Sequence, residues 1–401
     1  MLELAIAQAK ARRTPALGLY VHVPFCASTC DFCAFYQIKP TAERVHRFLD
    51  GVAHEAGLAA WNRAADTVFW GGGTPGLLSA RALAELGEIV RRCAGGQPQE
   101  WSVELAPASV TPERLTALKD VGVTRISLGV QSFQPALLEA LGRRHTLPQV
   151  RRAYQWVRAA GFSSVNLDLI FAIPGQDLPA WRTDLQEAIR VGPDHVSTYC
   201  LTFEEDAALF VKLAQGRVRP DVEKEAAFYT EAWERLEAAG YRQYEVSNFA
   251  RRGHHCRHNL NTWRMEEWIG LGPSAASQCG GWRGSNVADL DQWLADVAGS
   301  RRAQVDRVAL TPRLLAEDSL IFGLRMNEGV NVPELRARFP GARWENLCAL
   351  ADRLVEEGLA IAEPDGRLRL TLRGRLVADA VGEQIMEAMA ETAPVGANRI
   401  A

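Results

Sequence analysis

The sequence predicts an α/β fold with a parallel sheet, on two observations. Six short apolar runs bounded by turn residues recur along the first half of the chain, and a helical pattern follows each of the first five. Such alternation is typical of repeated β/α units. Periodicity alone leaves two arrangements open, a doubly wound sheet and a partial barrel. The six expected strands are residues 19–23, 67–70, 101–105, 124–130, 164–171 and 195–201.

The helices between these strands carry start signals of their own. Ser79 fits an N-cap, and Thr111 followed by Pro112 fits an N-cap with proline at the first helical position. In a fold of this kind the chemistry lies at the carboxyl ends of the strands. The expected helices are residues 42–60, 79–93, 112–121, 135–160 and 178–190.

Past the sixth strand the pattern changes and predicts a second, smaller part of the chain. A helix over 222–240 precedes a strand-like run over 241–247 and a region rich in glycine, serine and asparagine. From about residue 306 the order is winged-helix-like, with three helices, a hairpin turning at 363–366 and a further helix. The three helices are expected at 313–326, 331–339 and 345–357, and the last one begins at 373.

A winged-helix-like order raises nucleic-acid binding as an alternative function, but the charge argues against it. Residues 306–401 contain 12 arginines and no lysine against 15 aspartates and glutamates, without an obvious basic stripe. The whole chain has a net charge of −3, which gives no electrostatic reason to bind a polyanion. We therefore expect no nucleic-acid partner.

Length and composition predict a soluble globular protein. Its 401 residues are 47% hydrophobic, which is enough to bury a sizeable core. No apolar segment approaches the roughly 20 residues of a membrane span, and the N-terminal basic residues follow the short apolar run, the wrong order for a signal peptide. A cytoplasmic protein is therefore expected. The expected divisions are an N-terminal extension (1–16), a core (17–215), a family-specific extension (216–305), a winged-helix-like domain (306–389) and a loose tail (390–401).

Three cysteines, Cys26, Cys30 and Cys33, follow the first expected strand as C-x3-C-x2-C. These spacings also fit one face of a helix, on which cysteines would pack as small hydrophobic residues. Pro24 and the preceding strand favour a loop instead, and three of eight cysteines in one place suit shared metal ligation. Thiolates suit zinc or iron–sulfur sites, whose closed forms normally take four protein ligands. A cubane held by three cysteines would leave one iron open to an exogenous ligand.

This cysteine motif resembles that of the radical S-adenosylmethionine (SAM) enzymes. The resemblance implies a [4Fe–4S] cluster on Cys26, Cys30 and Cys33, SAM on the open iron, and a partial (β/α)6 TIM-like barrel. The stretch Trp70-Gly-Gly-Gly-Thr-Pro75 after the second strand permits close backbone approach to a ligand and exposes N–H donors. By the same resemblance, this stretch meets the amino group of the methionine moiety of SAM.

Polar residues stand at the ends of the third, fourth and fifth expected strands, where unpaired polar groups are costly unless a partner satisfies them. Each alone is more typical of a structural hydrogen bond, but their joint placement favours one shared site. The motifs around them resemble the coproporphyrinogen-oxidase-like branch of the radical SAM proteins, in which matching residues contact the ribose, carboxylate and adenine of SAM. The implied SAM contacts are Tyr20, Gly72, Gly73, Thr74, Glu104, Gln131, Arg143 and Asp168.

Further motifs extend this resemblance to the haem-chaperone subgroup of the branch. They include Tyr244-Glu-Val-Ser-Asn-Phe-Ala250, Cys256-Arg-His-Asn259 and Trp268-Ile-Gly-Leu-Gly-Pro273, and the resemblance covers roughly residues 17–385. Oxidases of the branch carry an additional cysteine two residues after the third, where this sequence has Phe35. The sequence therefore resembles the chaperones more than the oxidases.

The resemblance also implies a haem ligand, His258. Its segment is similar to the H-N-x-x-Y-W motif of the subgroup, although Thr262 replaces the tyrosine. An axial imidazole needs only a neutral nitrogen that a neighbouring group orients. Two alternatives remain open: a structural hydrogen-bonding role for His258, and a metal site such as zinc formed by His254, His255 and Cys256.

The function implied is that of a haem chaperone that binds a [4Fe–4S] cluster, SAM and haem. Its expected partners are haem, an acceptor protein that receives the haem, and an electron donor to the cluster if SAM is cleaved. The first alternative is oxygen-independent oxidative decarboxylation of coproporphyrinogen III to protoporphyrinogen IX, against which Phe35 argues. The second is a radical SAM enzyme that acts on another tetrapyrrole or an unrelated substrate.

Overall fold

A computed structural model of the chain describes residues 16–59, 61, 63–302, 304–342 and 344–390. The expected N-terminal extension and loose tail lie outside the described residues, apart from one residue each. The described chain forms one sheet of twelve strands and a separate sheet of three.

Six parallel strands form the centre of the large sheet, and they pair in the order in which the chain makes them. A doubly wound sheet reverses its strand order midway, so the unbroken order excludes that arrangement and agrees with the predicted β/α array. These strands are β1 (Leu17–Val23), β2 (Thr67–Gly72), β3 (Glu100–Leu105), β4 (Arg125–Gln131), β5 (Ser164–Phe171) and β6 (His195–Cys200).

The helices of the core follow the predicted starts, with one exception. The hydroxyls of Ser79 and Thr111 accept backbone N–H groups as N-caps. The single helix expected over 135–160 is wrong: Gly142 takes a φ of 70°, which ends one helix, and the chain runs irregularly before the next. The helices are α1 (Ala42–Leu58), α2 (Ala80–Cys93), α3 (Pro112–Asp120), α4 (Pro135–Ala140), α5 (Leu147–Ala159) and α6 (Leu178–Val191).

The two faces of the parallel sheet differ in chemistry. Alternate residues of β1, from Leu17 to Val23, are aliphatic and fully buried, and the alternate positions of the other strands are likewise buried and largely apolar. Strands covered by helices on both faces are apolar throughout, so the polar residues between them mark a face that lines the interior of the partial barrel. This face carries Tyr20, His22, Thr67, Phe69, Ser102, Glu104, Arg125, Ser127, Asn166, Asp168, His195, Ser197 and Tyr199.

The sheet continues beyond both ends of the parallel array. A strand from the second half of the chain pairs in parallel with β1, and another pairs antiparallel with β6. The added strands are β7 (Arg242–Glu245), β8 (Asn248–Ala250), β9 (Glu267–Leu271), β10 (Ala276–Cys279), β11 (Trp282–Asn286) and β12 (Gln304–Ala309). The added helices are α7 (Ala208–Ala214), α8 (Val222–Ala238), α9 (Arg257–Trp263) and α10 (Leu290–Ala298). Helix α9 packs against β1, β2 and β9.

The C-terminal part has the expected three helices followed by a hairpin, and its own hydrophobic core lies around Trp344 and Leu350. A short strand between the first two helices was not expected, and the helix expected from residue 373 is divided in two. It joins the large sheet where Met326 pairs with Glu245 and Asn327 N–H donates to the Tyr244 carbonyl. Its elements are α11 (Pro312–Leu324), β13 (Val330–Asn331), α12 (Val332–Arg338), α13 (Trp344–Glu356), β14 (Ala360–Ala362), β15 (Arg367–Leu370), α14 (Leu372–Leu376) and α15 (Ala378–Met389). Among the described helices, none has the length and apolar character that crossing a membrane requires.

Candidate functional site

The three cysteines lie on a loop at the carboxyl end of β1. No helix forms between Pro24 and Thr41, so the helical-stripe alternative is wrong. Two backbone hydrogen bonds close the loop: Ile38 N–H donates to the Pro24 carbonyl at 2.7 Å, and Cys26 N–H donates to the Ile38 carbonyl at 2.9 Å. The loop therefore has a fixed base from which the thiols project.

All three thiols are free and half-buried. Desolvation raises the pKa values of Cys26 and Cys33, and the Arg143 guanidinium opposes that shift at both. Among the described residues no three His, Cys, Asp or Glu side chains converge as ligands of one metal ion would, neither on this loop nor around His254. In a cubane each thiolate binds a different iron, so the ligands stand farther apart. Three thiols beside a cation fit that group.

The segments that follow β4 and β6 hold the cysteine loop in place. Asp31 N–H donates to the Leu141 carbonyl at 3.0 Å, while the Asp31 carboxylate pairs with Lys212 Nζ at 2.7 Å. The Arg143 guanidinium lies over the Phe32 ring, 5.8 Å from its centre. The loop is therefore held by contacts from two separate parts of the chain, the segment around Leu141 and Arg143 and the segment around Lys212.

The glycine stretch after β2 packs directly against the cysteine loop. Gly73 N–H donates to the Val23 carbonyl at 2.9 Å and Thr74 N–H to the Phe25 carbonyl at 2.7 Å. The expectation that these N–H groups face a ligand is therefore wrong, because the cysteine loop already occupies them. A Cβ on Gly73 would lie 2.7 Å from both carbonyl oxygens, so only glycine permits this approach.

The same stretch touches two of the predicted cofactor residues. Thr74 Oγ1 lies 3.6 Å from Cys26 Sγ. Gly72 has a φ of 94°, and its N–H donates to the Glu104 carboxyl group. The N–H groups of Gly72, Gly73 and Thr74 therefore all have partners within the protein.

Gln131 and Arg143 approach the same point of strand β4. A Cβ added to Gly129 would lie 3.1 Å from Gln131 Nε2 and 3.4 Å from an Arg143 terminal nitrogen. Gln131 reaches this position because its φ is 66° and the β4–β5 register shifts there, as in a β-bulge. Arg143 Nε is buried and has no hydrogen-bond partner in the described chain. An unpaired buried donor of this kind is costly unless a ligand accepts from it.

Glu104 and Asp168 present carboxyl groups to the interior of the barrel. Asp168 accepts hydrogen bonds from Ser127 Oγ at 2.9 Å and from Asn166 Nδ2 at 2.7 Å. Desolvation, followed by repulsion from Asp168, raises the pKa of Glu104 to about 8, and desolvation also raises the pKa of Asp168. Two poorly solvated carboxyl groups so arranged favour a cation between them.

Tyr20 completes the predicted SAM set on the interior face. Its hydroxyl lies 3.2 Å from His22 Nδ1, and its ring stacks on Phe69. Desolvation and the nearby Glu104 raise the pKa of Tyr20, so the phenol keeps its proton. The structure thus places all eight predicted SAM residues on the interior of the barrel or on the loops at its carboxyl end.

His258 lies apart from these residues. It is 7% exposed, Thr67 Oγ1 lies 3.0 Å from its Nδ1, and its ring stacks on Phe69 at 5.3 Å. Thr67 and Gly18 stand near the starts of their strands, and a Cβ on Gly18 would lie 3.1 Å from His258 Cε1. His258 therefore sits at the opposite end of the barrel from the cysteines.

A polar network that was not predicted from the sequence lies behind Asp168. Asn166, His195 and Tyr244 are all buried, and hydrogen bonds connect them in one line. The available signal was the alternation of polar residues within β5 and β6, which is unusual in strands of a parallel sheet.

Comparison with known proteins agrees with this architecture. Residues 20–188 match the family model described as the Radical SAM superfamily, and residues 310–377 match the HemN C-terminal domain. Coproporphyrinogen III oxidase (HemN) from Escherichia coli is structurally similar, with a TM-score of 0.79 and 24% identity, covering 95% of this chain and 93% of that one. At that identity the similarity establishes the fold.

The curated relatives are more specific. The chain is 31% identical over 368 residues to the "Heme chaperone HemW" of Bacillus subtilis, covering 90% of this chain and 97% of that protein. It is 36% identical over 372 residues to the HemW of Mycobacterium tuberculosis, covering 91% and 93%. Identity of this extent across nearly the whole of both chains is shared by members of one family, and the chain belongs to the HemW family of haem chaperones within the radical SAM superfamily.

Proposed function

We propose that this protein binds a [4Fe–4S] cluster, SAM and haem, and passes the haem to an acceptor protein. The observation that carries the proposal is the arrangement at the open end of the barrel. Three free thiols, an unpaired buried Arg143 nitrogen and two interior carboxyl groups are electrostatic neighbours there, since the Arg143 charge acts on Cys26, Cys33 and Glu104, and Asp168 acts on Glu104. Few ligands other than a metal cluster with a cationic, carboxylate-bearing cofactor would satisfy all of these groups.

The residues present suggest how each group would be held. Cys26, Cys30 and Cys33 would bind three irons, and Thr74 stands beside the first of these thiols. The cationic part of SAM would lie near Glu104 and Asp168, and its carboxylate would satisfy the nitrogen of Arg143. When bound, the cluster can supply one electron for SAM cleavage; the protein's share is to orient the cofactor and exclude water.

The SAM set named above would therefore comprise Tyr20, Gly72, Gly73, Thr74, Glu104, Gln131, Arg143 and Asp168. The name shared by the relatives supports haem as the cargo. We also propose that His258 binds the haem iron. In this structure the His258 ring is buried, and one of its nitrogens already faces Thr67. Ligation there would require helix α9 to separate from the starts of β1 and β2.

The match of residues 310–377 to the HemN C-terminal domain supports the oxidase alternative, but one feature of the chain argues against it. Phe35, at the position of the additional cysteine of the oxidases, is 64% exposed beside Cys33. The cysteine loop therefore has no thiol at the position where the oxidases carry their additional cysteine. Oxidase chemistry remains the second candidate function.

The deciding experiment is an anaerobic haem titration of the cluster-reconstituted protein, followed by absorption. The same titration is run on His258→Ala and, as a matched control, on His46→Ala, which removes an exposed histidine from helix α1. Saturable binding by the unmodified protein, without consumption of coproporphyrinogen in the presence of SAM and a reductant, supports the chaperone. Absence of saturable binding overturns it.

The variants locate the haem. Weaker binding by His258→Ala, with His46→Ala unchanged, supports the predicted ligand. Equal binding by both variants moves the haem site elsewhere while the chaperone function stands. Circular dichroism of each variant shows whether the loss of a buried ring has altered the fold.

A further inference from the structure

A continuous line of hydrogen bonds runs through the barrel interior behind Asp168. Asn166 Nδ2 donates to Asp168 Oδ1 at 2.7 Å, and the Asn166 carbonyl oxygen lies 2.6 Å from His195 Nδ1. On the far side of the imidazole, Nε2 lies 2.9 Å from the Tyr244 hydroxyl. Three side chains therefore connect the carboxyl group at the open end with the antiparallel strand β7.

The partners fix the protonation of each group in this line. The amide nitrogen of Asn166 faces three oxygens, those of Asp168, Ser127 and Ser197, so its carbonyl oxygen must face His195. A carbonyl oxygen only accepts, so His195 Nδ1 carries the proton and Nε2 accepts from Tyr244. Burial and the nearby Arg125 guanidinium hold the pKa of His195 well below its usual range, so the imidazole is neutral.

The line continues from Tyr244 to the helix that carries His258. The Tyr244 hydroxyl accepts the Cys256 N–H at 3.2 Å, and Cys256 directly precedes helix α9. Glu100 fixes the same helix end by accepting the N–H groups of Arg257 and His258, each at 3.1 Å. The start of α9 is therefore attached both to the sheet and to the hydrogen-bonded line.

We infer that His195 is a positioning residue which, through Asn166, orients the Asp168 carboxyl group for the cofactor at the open end of the barrel. His195 is fully buried and pairs with Asn166, two positions behind Asp168 in the β5–β6 register, so it cannot touch a ligand at the open end itself. Tyr244 donates to Nε2 and so supports the tautomer in which Nδ1 donates to Asn166. The inference rests on the proposed binding of SAM by Asp168.

The hydrogen bonds of Tyr244 connect the two ends of the barrel. Because Tyr244 contacts both His195 and the start of α9, a displacement of α9 changes the partner of His195 and loosens Asn166. Ser197 Oγ also donates to the Asn166 carbonyl at 3.2 Å, so the amide keeps one weaker partner when His195 is lost. We therefore expect impaired orientation of Asp168, not its complete loss.

The test measures SAM affinity of the cluster-reconstituted protein by calorimetry and by the change that SAM causes in the electron paramagnetic resonance of the reduced cluster. His195→Leu removes both hydrogen bonds of the ring, whereas His195→Asn keeps a donor near the Nδ1 position. We expect His195→Leu to weaken SAM binding about fivefold and His195→Asn to restore most of it. Tyr244→Phe should weaken binding by a smaller factor.

A matched control and a double-mutant cycle separate positioning from a general packing effect. Tyr241 is also a fully buried tyrosine, but its hydroxyl donates to the Pro193 carbonyl at 2.8 Å, so Tyr241→Phe should leave SAM affinity unchanged. If His195 acts through Asp168, His195→Leu should weaken binding no further in an Asp168→Asn background. If Asp168→Asn binds SAM too weakly to measure, the positioning role is tested by whether His195→Asn restores the SAM affinity that His195→Leu loses.

The measurements distinguish a failure of the positioning role from a failure of the proposed function. If the unmodified protein with its cluster does not bind SAM, the SAM site itself is wrong and the inference falls with it. If the unmodified protein binds SAM and folded His195→Leu or Tyr244→Phe binds it equally well, only the positioning role is overturned. Additive losses in the double-mutant cycle overturn it as well.

Discussion

Thr67 Oγ1 lies 3.0 Å from Nδ1 of His258, at the start of strand β2, whereas the glycine stretch lies at the end of the same strand. A strand rises about 3.3 Å per residue, so the five steps from Thr67 to Gly72 separate the two positions by roughly 16 Å. His258 therefore closes the interior at the end away from the cysteines. Haem ligation by His258 needs a change in this contact, while a structural role needs none.

Burial gives His258 a measurable effect on acid stability. Desolvation lowers its pKa to about 4, so the ring is neutral in the folded protein at neutral pH. In the unfolded chain its pKa is about 6.5, so below that value the unfolded state binds the proton more tightly. Stability should fall as the pH drops from about 6.5 to 4, by about 2 kcal/mol at pH 5.

Urea unfolding of the unmodified protein and of His258→Gln at pH 7 and pH 5 measures this contribution. Glutamine cannot take up the proton, so the variant should lose less stability between the two pH values. Equal losses in both proteins would show that His258 is not held neutral by burial.

Much of the fold was predictable because its signals are local. Short apolar runs bounded by turn residues mark each of the six parallel strands, because a strand of a parallel sheet is buried along its length. The break at Gly142 was missed because glycine is tolerated within helices, and its positive φ depends on the contacts of the cysteine loop with Leu141. That break is what carries Arg143 to the open end of the barrel.

The sequence identifies the residues of the candidate site better than it identifies the contacts that those residues make. Spacing and resemblance named Gly73 and Thr74, but which atoms they use depends on how closely β1 and β2 approach, and their N–H groups serve the cysteine loop. The network of Asn166 and His195 was missed because each residue alone resembles an ordinary buried polar group. Only the strand register brings the two together.

The cysteine loop gives the most direct prediction. Replacing Cys26, Cys30 or Cys33 by serine should abolish the visible absorption of the reconstituted cluster, since a serine hydroxyl is a poor substitute for a thiolate ligand. The thiols project from a loop and lie outside the hydrophobic core, so circular dichroism and the unfolding midpoint should stay close to those of the unmodified protein. Cys348→Ser, which changes an exposed thiol of the C-terminal part, serves as the control. Full cluster retention in all three loop variants would refute the assignment.

Gly73 should tolerate no side chain. A Cβ there would lie 2.7 Å from the carbonyl oxygens of Val23 and Phe25, and backbone atoms cannot move aside as a flexible side chain can. Gly73→Ala should therefore destabilise the protein by roughly 2 kcal/mol and reduce cluster incorporation by displacing the cysteine loop. Gly57→Ala, with no atom within 4 Å of the new Cβ, is the matched control and should be neutral or slightly stabilising. Chemical denaturation and the iron content after reconstitution measure both effects, and equal behaviour of the two variants would contradict the contact.

Glu104 should make SAM binding depend on pH. Desolvation and the neighbouring Asp168 raise the pKa of Glu104 to about 8 in the ligand-free protein, so near neutral pH most molecules carry it protonated. A cationic ligand favours the ionised carboxylate and lowers its pKa, so binding releases a proton and the affinity should rise with pH, by at most about tenfold per pH unit for one proton.

Calorimetric titrations between pH 6.0 and 7.5 measure this dependence. They stay below the usual pKa of an α-amino group, about 7.7 to 8.0, so the amino group of SAM keeps its own proton. Glu104→Gln should bind SAM more weakly and with a flatter pH dependence, and an unchanged slope in that variant would show that SAM does not contact this carboxyl group.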